Sequence, residues 1–251
     1  MSRWWKLASP LAVIAAWQVL SSTGALPRNT PSPAKVVAGL WELTSKGLPP
    51  GYRLPGHLLA SLERVLLGFA IAALVALPLG LLMGYSRRME FMVDPIVEAL
   101  RPVPPLAWLP LAVLWLGIGL LSSAFLIFLG AFFPILLSTV SGVKSVDPTL
   151  VEAARTLGAR PRSIVWRVML PGAMPSAVTG LRIGMGIGWM TLVAAEMTGV
   201  KSGYGLGYLV LTTRDLARYD LLLADIVVIG LVGFGLDRVI KACERRLLRW
   251  R

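Results

Sequence analysis

Few side chains in this sequence have the chemistry for covalent catalysis or metal binding. Among 251 residues there is one cysteine, Cys243, and one histidine, His57. The composition therefore excludes an intrachain disulfide, a cysteine-rich zinc site and a multi-histidine metal centre. A Ser-His-Asp triad would have to use His57, which we place in a loop outside the apolar runs. The Lys-Ser pairs at 144–145 and 201–202 follow valine rather than glycine, so no P-loop is present and any ATP used must bind another polypeptide.

Three residues in an apolar stretch have a spacing that suits transport. Arg182, Trp189 and Glu196 are seven residues apart, and on a helix each such step returns within about 20° of the same face. A charge within the bilayer is costly unless it faces the bundle interior or a water-filled cavity. We therefore predict that these residues line a translocation pathway, with Arg182 attracting an anion. The alternative is a structural ion pair or an arginine that reaches to the interface.

A glycine-rich segment follows this stretch and includes Gly203, Tyr204 and Gly205. We interpret it as an outer loop that forms an external gate or docks a soluble binding protein. Irregular backbone is equally expected of any outer loop, so the alternative is a plain connection.

The elements that position these residues are membrane helices. Hydrophobic residues make up 56% of the chain and charged residues 15%, against about 25% charged in soluble domains, and the mean hydropathy is +0.71. Apolar runs of about 20 residues span a bilayer as helices, so the sequence predicts an all-α polytopic protein with about six transmembrane helices. The predicted spans are 7–20, 65–82, 106–121, 124–140, 177–195 and 221–236.

Two of these runs have distinct features. The first could be a signal peptide, but the spans that follow favour a retained helix. The third is short and contains Pro110, which predicts a tilted or broken helix. Residues 24–57, between the first two runs, are expected to form a polar, proline-rich outer loop. We divide the chain into 1–57, a core at 58–240 with a loop at 141–175, and a basic cytoplasmic tail at 241–251.

The distribution of basic residues predicts the topology. The net charge is +12, and the basic residues lie mostly between and after apolar runs, which indicates membrane orientation rather than nucleic-acid binding. With the N-terminus inside, sixteen lysines and arginines fall in cytoplasmic segments and seven in outer ones. This bias predicts a multi-pass protein with both termini in the cytoplasm.

The cytoplasmic loop 141–175 has the strongest local signals. Asp147 suits an N-cap, Pro148 the first helical position and Gly158 the left-handed residue after a helix. The pattern predicts a helix of about ten residues with Leu150, Ala154 and Leu157 on one face. Such a helix could dock on a soluble partner, or it could lie on the membrane or on its own bundle.

The same loop resembles the EAA loop of ABC importer permeases. Glu152-Ala153-Ala154, three residues, Gly158, nine residues and Val168-x-Leu170-Pro171 follow the family's pattern, with Val168 in place of isoleucine. The resemblance implies that the loop holds the coupling helix, which docks on the ATPase. It implies that Glu152, Ala153, Ala154 and Gly158 contact the ATPase or shape that contact, and that Leu170 and Pro171 set the turn into the next span.

The resemblance extends over about residues 58–240 and narrows to one branch. The segment 101–111, followed by Trp115-x-Gly117-Ile118-Gly119, and the segment 179–196 are similar to taurine, aliphatic sulfonate, nitrate and bicarbonate permeases. The taurine type is closest, although Leu120 stands where that type tends to have an acidic residue.

The resemblance implies a type I ABC importer permease with no enzymatic activity of its own. Its substrate would be taurine or another organosulfonate, with nitrate or bicarbonate as the alternative. The implied partners are two ATPase subunits, which bind ATP and Mg, a second and identical permease copy, an extracytoplasmic binding protein and the prokaryotic inner membrane. A channel or ion-driven transporter is the rival class, but the spans lack the paired carboxylates expected for ion coupling.

Overall fold

The computed structural model describes residues 5–27, 29–48, 52–198 and 203–247. These ranges are helical, with a 3₁₀ turn at Pro105–Trp108, a π-helical segment at Val165–Met169 and no strand. The helices are α1 (Trp5–Ser22), α2 (Pro33–Ser45), α3 (Leu54–Tyr85), α4 (Arg87–Leu100), α5 (Leu109–Leu116), α6 (Leu120–Lys144), α7 (Pro148–Thr156), α8 (Pro161–Ile164), α9 (Leu170–Thr198), α10 (Leu206–Asp215) and α11 (Tyr219–Leu247).

Four helical segments of the described chain are long and apolar enough to cross a membrane. They are Leu54–Tyr85, Leu120–Lys144, Pro161–Thr198 and Tyr219–Arg246. They match the predicted second, fourth, fifth and sixth spans, and each is longer than its apolar run. Within the described residues, Leu11–Ser22 of α1 is a shorter apolar helix. The all-α polytopic membrane fold is confirmed.

The predicted third span is one half of a bent pair of helices. Arg87–Leu100 and Pro105–Leu116 are long and apolar enough only as a pair, and the 85° bend between them is that of a broken span or a re-entrant loop. Pro102, Pro104 and Pro105 lie at the bend, where proline removes backbone donors and disfavours helical geometry in the residue before it. The broken helix is therefore confirmed. The sequence missed α4, which we had assigned to a cytoplasmic segment.

A second helix that the sequence missed lies in the predicted polar loop at 24–57. The side chain of Ser32 accepts a hydrogen bond from the backbone N–H of Lys35, and Pro33 is the first residue of α2. Serine at the N-cap followed by proline is a recognised helix start. This signal was present in the sequence and outweighs the polar composition of the segment.

The chain forms two compact units, Met1–Ser61 with Gly203–Val232, and Leu62–Ser202 with Gly233–Arg251. In the first unit α2 packs on the start of α11, where a Cβ at Gly39 would lie 3.1 Å from the carbonyl oxygen of Asp220. The Arg218 guanidinium lies 2.8 Å from a carboxylate oxygen of Glu42 and 2.9 Å from one of Asp220. These hydrogen bonds, to Asp220 first and then to Glu42, raise the pKa of Arg218.

In the second unit α6 packs closely against α9 through glycine. A Cβ at Gly180 would lie 2.6 Å from the Ser138 Cβ, and one at Gly184 would lie 2.8 Å from a side-chain carbon of Ile135. Small residues at this spacing allow helices to approach closely in membranes. Gly180 and Gly184 therefore lie at the contact between α6 and α9. On α3, three glycines approach α6 in the same way: Gly68, Gly80 and Gly84.

The expected turn at Leu170 and Pro171 is absent. Residues 161–198 form one helical run, in which α8, the π-helical segment and α9 follow without a break. The backbone N–H of Leu170 bonds to the carbonyl of Val165, five residues earlier. Proline lacks an N–H and clashes with the preceding turn, and a local π register accommodates this inside a continuous helix. Pro171 therefore lies in the first turn of α9.

Candidate functional site

The loop helix α7 has the caps that the sequence predicted. An Asp147 carboxylate oxygen accepts a hydrogen bond of 2.8 Å from the backbone N–H of Thr149. Hydrogen bonds from the side chain and then the backbone of Thr149 hold the pKa of Asp147 below its usual value. Gly158 has φ +77°, the left-handed conformation that glycine adopts without strain. The helix, its start and its end are confirmed.

The predicted apolar face of α7 is divided between two environments. Ala154, together with Val151, packs against a buried cluster of the second unit. Leu150 is 58% exposed and Leu157 is 87% exposed. The face is divided because Val151, rather than Leu150, turns toward the cluster with Ala154. Glu152 and Ala153 are exposed, so the outer surface of α7 is free to contact another molecule.

An ion pair links α6 to α4 beside this loop. Lys144, the last residue of α6, pairs with Glu90 in the first turn of α4. Lysine at a helix C-terminus and glutamate at an N-terminus each complement the helix dipole. The pair therefore anchors the point where the chain leaves α6 for the loop.

Glu196 of the predicted pathway face lies in a buried ion pair. Its carboxylate is 2.5 Å from the Arg64 guanidinium, and the two side chains are 0% and 7% exposed. Two buried charges are tolerated only when they are paired and hydrogen-bonded. The pair corresponds to the alternative prediction of a structural ion pair, and the assignment of Glu196 to a pathway stays a prediction.

Arg182 also has a carboxylate partner, Asp237 of α11. The two form a bidentate pair, with distances of 2.5 and 3.2 Å between nitrogen and oxygen atoms. Both side chains are more than one-third exposed. Trp189 is buried, and a Cβ added at Gly233 would lie 3.0 Å from the indole nitrogen. All three residues contact the bundle, and their assignment to a pathway stays a prediction.

The glycine-rich segment contacts α3 through two buried polar side chains. His57 Nδ1 is 3.1 Å from the N–H of Gly205 and 3.0 Å from its carbonyl oxygen, so it accepts or donates according to its tautomer. Ser61 Oγ accepts a hydrogen bond of 2.9 Å from the N–H of Leu206. Placing His57 in a loop was wrong, since it lies in the first turn of α3 and is 2% exposed.

Tyr204, in the middle of the same segment, packs against a second tyrosine. The Tyr204 ring lies 3.9 Å from that of Tyr52 between centroids, and a hydrogen bond with Tyr52 raises the pKa of Tyr204. Gly203 and Gly205 have φ of +75° and +135°, which explains glycine on both sides of Tyr204. Residues 199–202, earlier in the predicted loop, lie outside the described residues.

A sequence model of the family described as "binding-protein-dependent transport system inner membrane component" matches residues 76–249. The chain belongs to this family. It is a multi-pass membrane permease of an ABC importer. The permease works with ATPase subunits, which hydrolyse the ATP, and with a substrate-binding protein. The rival class, a channel or ion-driven transporter without an ATPase, was therefore wrong.

Two relatives match the permease over nearly its whole length. The taurine transport system permease protein TauC of Escherichia coli (strain K12) is 42% identical over 250 residues, which are 98% of this chain and 85% of TauC. A protein of Bacillus subtilis (strain 168), assigned as the aliphatic sulfonates transport permease SsuC, is 38% identical over 250 residues, which are 99% of this chain and 88% of SsuC.

The fold is also that of a solved importer. An inward-facing structure of the MetNI methionine ABC transporter superposes with a TM-score of 0.55 and 24% identity, covering 86% of this chain and 99% of that chain. The type I ABC importer permease fold is thereby confirmed.

Some residues that shape these sites escaped the sequence analysis. Asp237 lies 55 residues from Arg182 along the chain, and Ser61 lies 145 residues from Leu206. Periodicity within one span cannot identify partners at such separations. Within the described ranges, no group of three or more histidine, cysteine, aspartate or glutamate residues is placed to hold a metal ion.

Proposed function

We propose that this permease carries a small organosulfonate, taurine or a close analogue, from a binding protein into the cytoplasm. The observation that carries the proposal is the similarity to TauC and SsuC over 98% and 99% of the chain. Transport would proceed by alternating access, driven by ATP binding and hydrolysis on the partner subunits. Nitrate or bicarbonate is the alternative substrate within the same branch.

The outer surface of α7 is the proposed docking site for the ATPase. Exposed leucines at 150 and 157 flank exposed Glu152 and Ala153 on a helix fixed at both ends. An apolar surface on a short rigid helix suits a groove on a soluble partner. Gly158 allows the chain to leave α7 in a left-handed conformation. Leu170 and Pro171 would contribute by keeping the loop continuous with α9.

Two identical copies of the permease, each with one ATPase, are the proposed assembly. One chain supplies a single set of spans, which is half of a closed pathway between two subunits. Phe91 and Met92 on α4 are 84% and 68% exposed, so they are available to a second copy or to lipid. The positive charge bias supports cytoplasmic termini at both ends. The proposal also keeps the predicted division of the chain into an N-terminal part at 1–57, a permease core at 58–240 and a basic tail at 241–251.

The pathway and the gate complete the proposal. Arg182, Trp189 and Glu196 would face the route of the anion, with the half-exposed pair of Arg182 and Asp237 as its accessible part. Gly203, Tyr204 and Gly205 would form the outer gate, since hydrogen bonds to His57 and Ser61 tie the segment to α3.

Uptake by the whole transporter tests the proposed function. The permease, its ATPase and its binding protein would be reconstituted in proteoliposomes, and taurine uptake would be measured with alkanesulfonates and nitrate as competitors. The proposal predicts taurine uptake that stops when the ATPase is inactivated. Uptake blocked by nitrate but not by alkanesulfonates would reject the organosulfonate assignment, and ATPase-independent uptake would reject the coupling scheme.

A further inference from the structure

A cavity of about 330 Å³ lies at the bend of the broken span, within the second unit. The segment after α4 forms one wall, and α6 and α9 form the others. Its lining includes Arg101, Val103, Gly130, Phe133, Pro134 and Ile187. Ligand pockets in proteins measure about 300–1,000 Å³, so this cavity suits a small molecule.

Arg101 is the only charged residue that the described chain contributes to the lining. In the same unit Arg64, Lys144 and Arg182 each pair with a carboxylate. Within the described ranges, the Arg101 guanidinium makes no hydrogen bond or ion pair. The positive charge at the cavity is therefore not neutralised by the protein.

The placement of Arg101 differs from the sequence prediction. Arg101 is one of the sixteen lysines and arginines that the sequence assigns to cytoplasmic segments, but it directly follows α4 at the bend between α4 and the helices after it. Non-helical backbone at membrane depth is tolerated where it is buried in protein or lines a water-filled cavity. In secondary transporters, broken helices of this kind form substrate sites.

The other lining groups set the shape of the ligand. Val103, Phe133 and Ile187 supply apolar walls, while Gly130 and Pro134 leave room beside them. A guanidinium binds oxyanions through two parallel hydrogen bonds. The complementary ligand is thus a small molecule with one oxyanion group on a short apolar body.

We propose that this cavity is a binding site within the permease for the sulfonate group of the substrate, with Arg101 as its anchor. The site rests on the proposed function for the identity of the anion. It differs from the pathway face on α9, where Asp237 already neutralises Arg182. The opposing explanation is structural, because an arginine after a helix also stabilises that helix's terminal carbonyls.

Charge variants of Arg101 test the site in proteoliposomes. Arg101→Gln should lower taurine uptake about tenfold or more, the effect of losing one charged hydrogen bond to an anion. Binding-protein-stimulated ATP hydrolysis should persist, and Arg101→Lys should retain part of the uptake. Arg88→Gln is the matched control, since Arg88 is an exposed arginine of α4 outside the cavity lining. Full uptake by Arg101→Gln, or equal loss in both glutamine variants, would overturn the proposal.

Thiol protection tests binding without transport. Since Cys243 is the only cysteine, Val103→Cys in a Cys243→Ser background gives one thiol in the cavity wall. Taurine should slow the reaction of this thiol with a labelling reagent, and ethanolamine, which lacks the sulfonate, should not. Arg101→Gln should abolish the protection by taurine. Labelling unaffected by any of taurine, alkanesulfonate, nitrate or bicarbonate would overturn the site even if Arg101→Gln lowers uptake. Protection by nitrate or bicarbonate alone would retain an anion site while rejecting the organosulfonate assignment.

Discussion

Replacing single glycines of α9 tests the close packing of α6 against α9. A Cβ at Gly180 would meet the Ser138 Cβ at 2.6 Å and the backbone oxygen of Pro134 at 3.1 Å. Neither atom is the end of a flexible side chain, so relief requires the two helices to separate. At Gly186, on the same helix, an added Cβ meets nothing within 4 Å. The two positions therefore differ in packing but share the backbone of one helix.

The magnitudes follow from these distances. Overpacking a tight contact costs about 1–3 kcal/mol, while alanine favours a helix over glycine by about 0.8–1.0 kcal/mol. Gly186→Ala should therefore be neutral or slightly stabilising. Gly180→Ala should be less stable than Gly186→Ala by about 1–3 kcal/mol, because the propensity gain is common to both. At about 2–4 °C per kcal/mol for chains of this size, the midpoints should differ by about 2–12 °C.

Thermal unfolding of the purified permease in one detergent, followed by tryptophan fluorescence, measures the difference. Wild type and both variants would be heated at the same rate and protein concentration. If Gly180→Ala unfolds at the same temperature as Gly186→Ala or above it, the glycine contact does not limit the approach of the helices and the packing argument fails.

Three further outcomes are expected. Gly158→Val should lower ATP-dependent uptake at equal protein level, because a branched residue at φ +77° is strained by about 1–2 kcal/mol. Gly158→Asn should keep most of the uptake, since asparagine tolerates this conformation. Equal uptake by the two variants would count against the role of the left-handed exit from α7. Glu196→Ala should destabilise the permease by as much as about 3–5 kcal/mol by leaving Arg64 charged in a buried site, and an unchanged unfolding midpoint would contradict this. Folding lowers the pKa of Asp147 from 3.8. Its N-cap should therefore stabilise α7 fully above pH 3.8, and this stabilisation should be lost as the pH falls through the lower folded-state pKa. If the amide-exchange protection of α7 falls with pH equally in wild type and in Asp147→Asn, the carboxylate is not the cause.

Hydropathy and capping account for most of what the sequence revealed. Four spans were located because their apolar runs are long, and α7 was located because Asp147, Pro148 and Gly158 each act within a few residues. Local signals of this kind can be read without tertiary structure. The same holds for the EAA pattern, whose twenty residues identified the family.

The missed elements have weak or misleading local signals. In α4, Arg87, Arg88, Glu90, Asp94 and Glu98 interrupt the apolar positions, so its composition resembles that of a loop. The segment nevertheless forms a helix, because its polar and apolar residues lie on different faces, and it is one arm of the bent pair.

The partners of buried charges were beyond sequence reasoning for a different reason. Glu196 was expected to share a function with Arg182, since both lie on one stripe of α9. In the structure each has a partner on another helix, Arg64 and Asp237 respectively. A helical period gives the direction of a side chain but not the helix that it meets.

The unbroken helical run at 161–198 has a mechanical consequence. Because the helical run continues from α8 into α9, a displacement of the loop beside α7 tilts α9 as a rigid body. The 29 residues of α9 extend about 43 Å, so a tilt of about 5° would move the far end by about 4 Å. Glu196 lies near that end and is tied to α3 through Arg64. A small displacement of the loop would therefore strain this ion pair between α9 and α3.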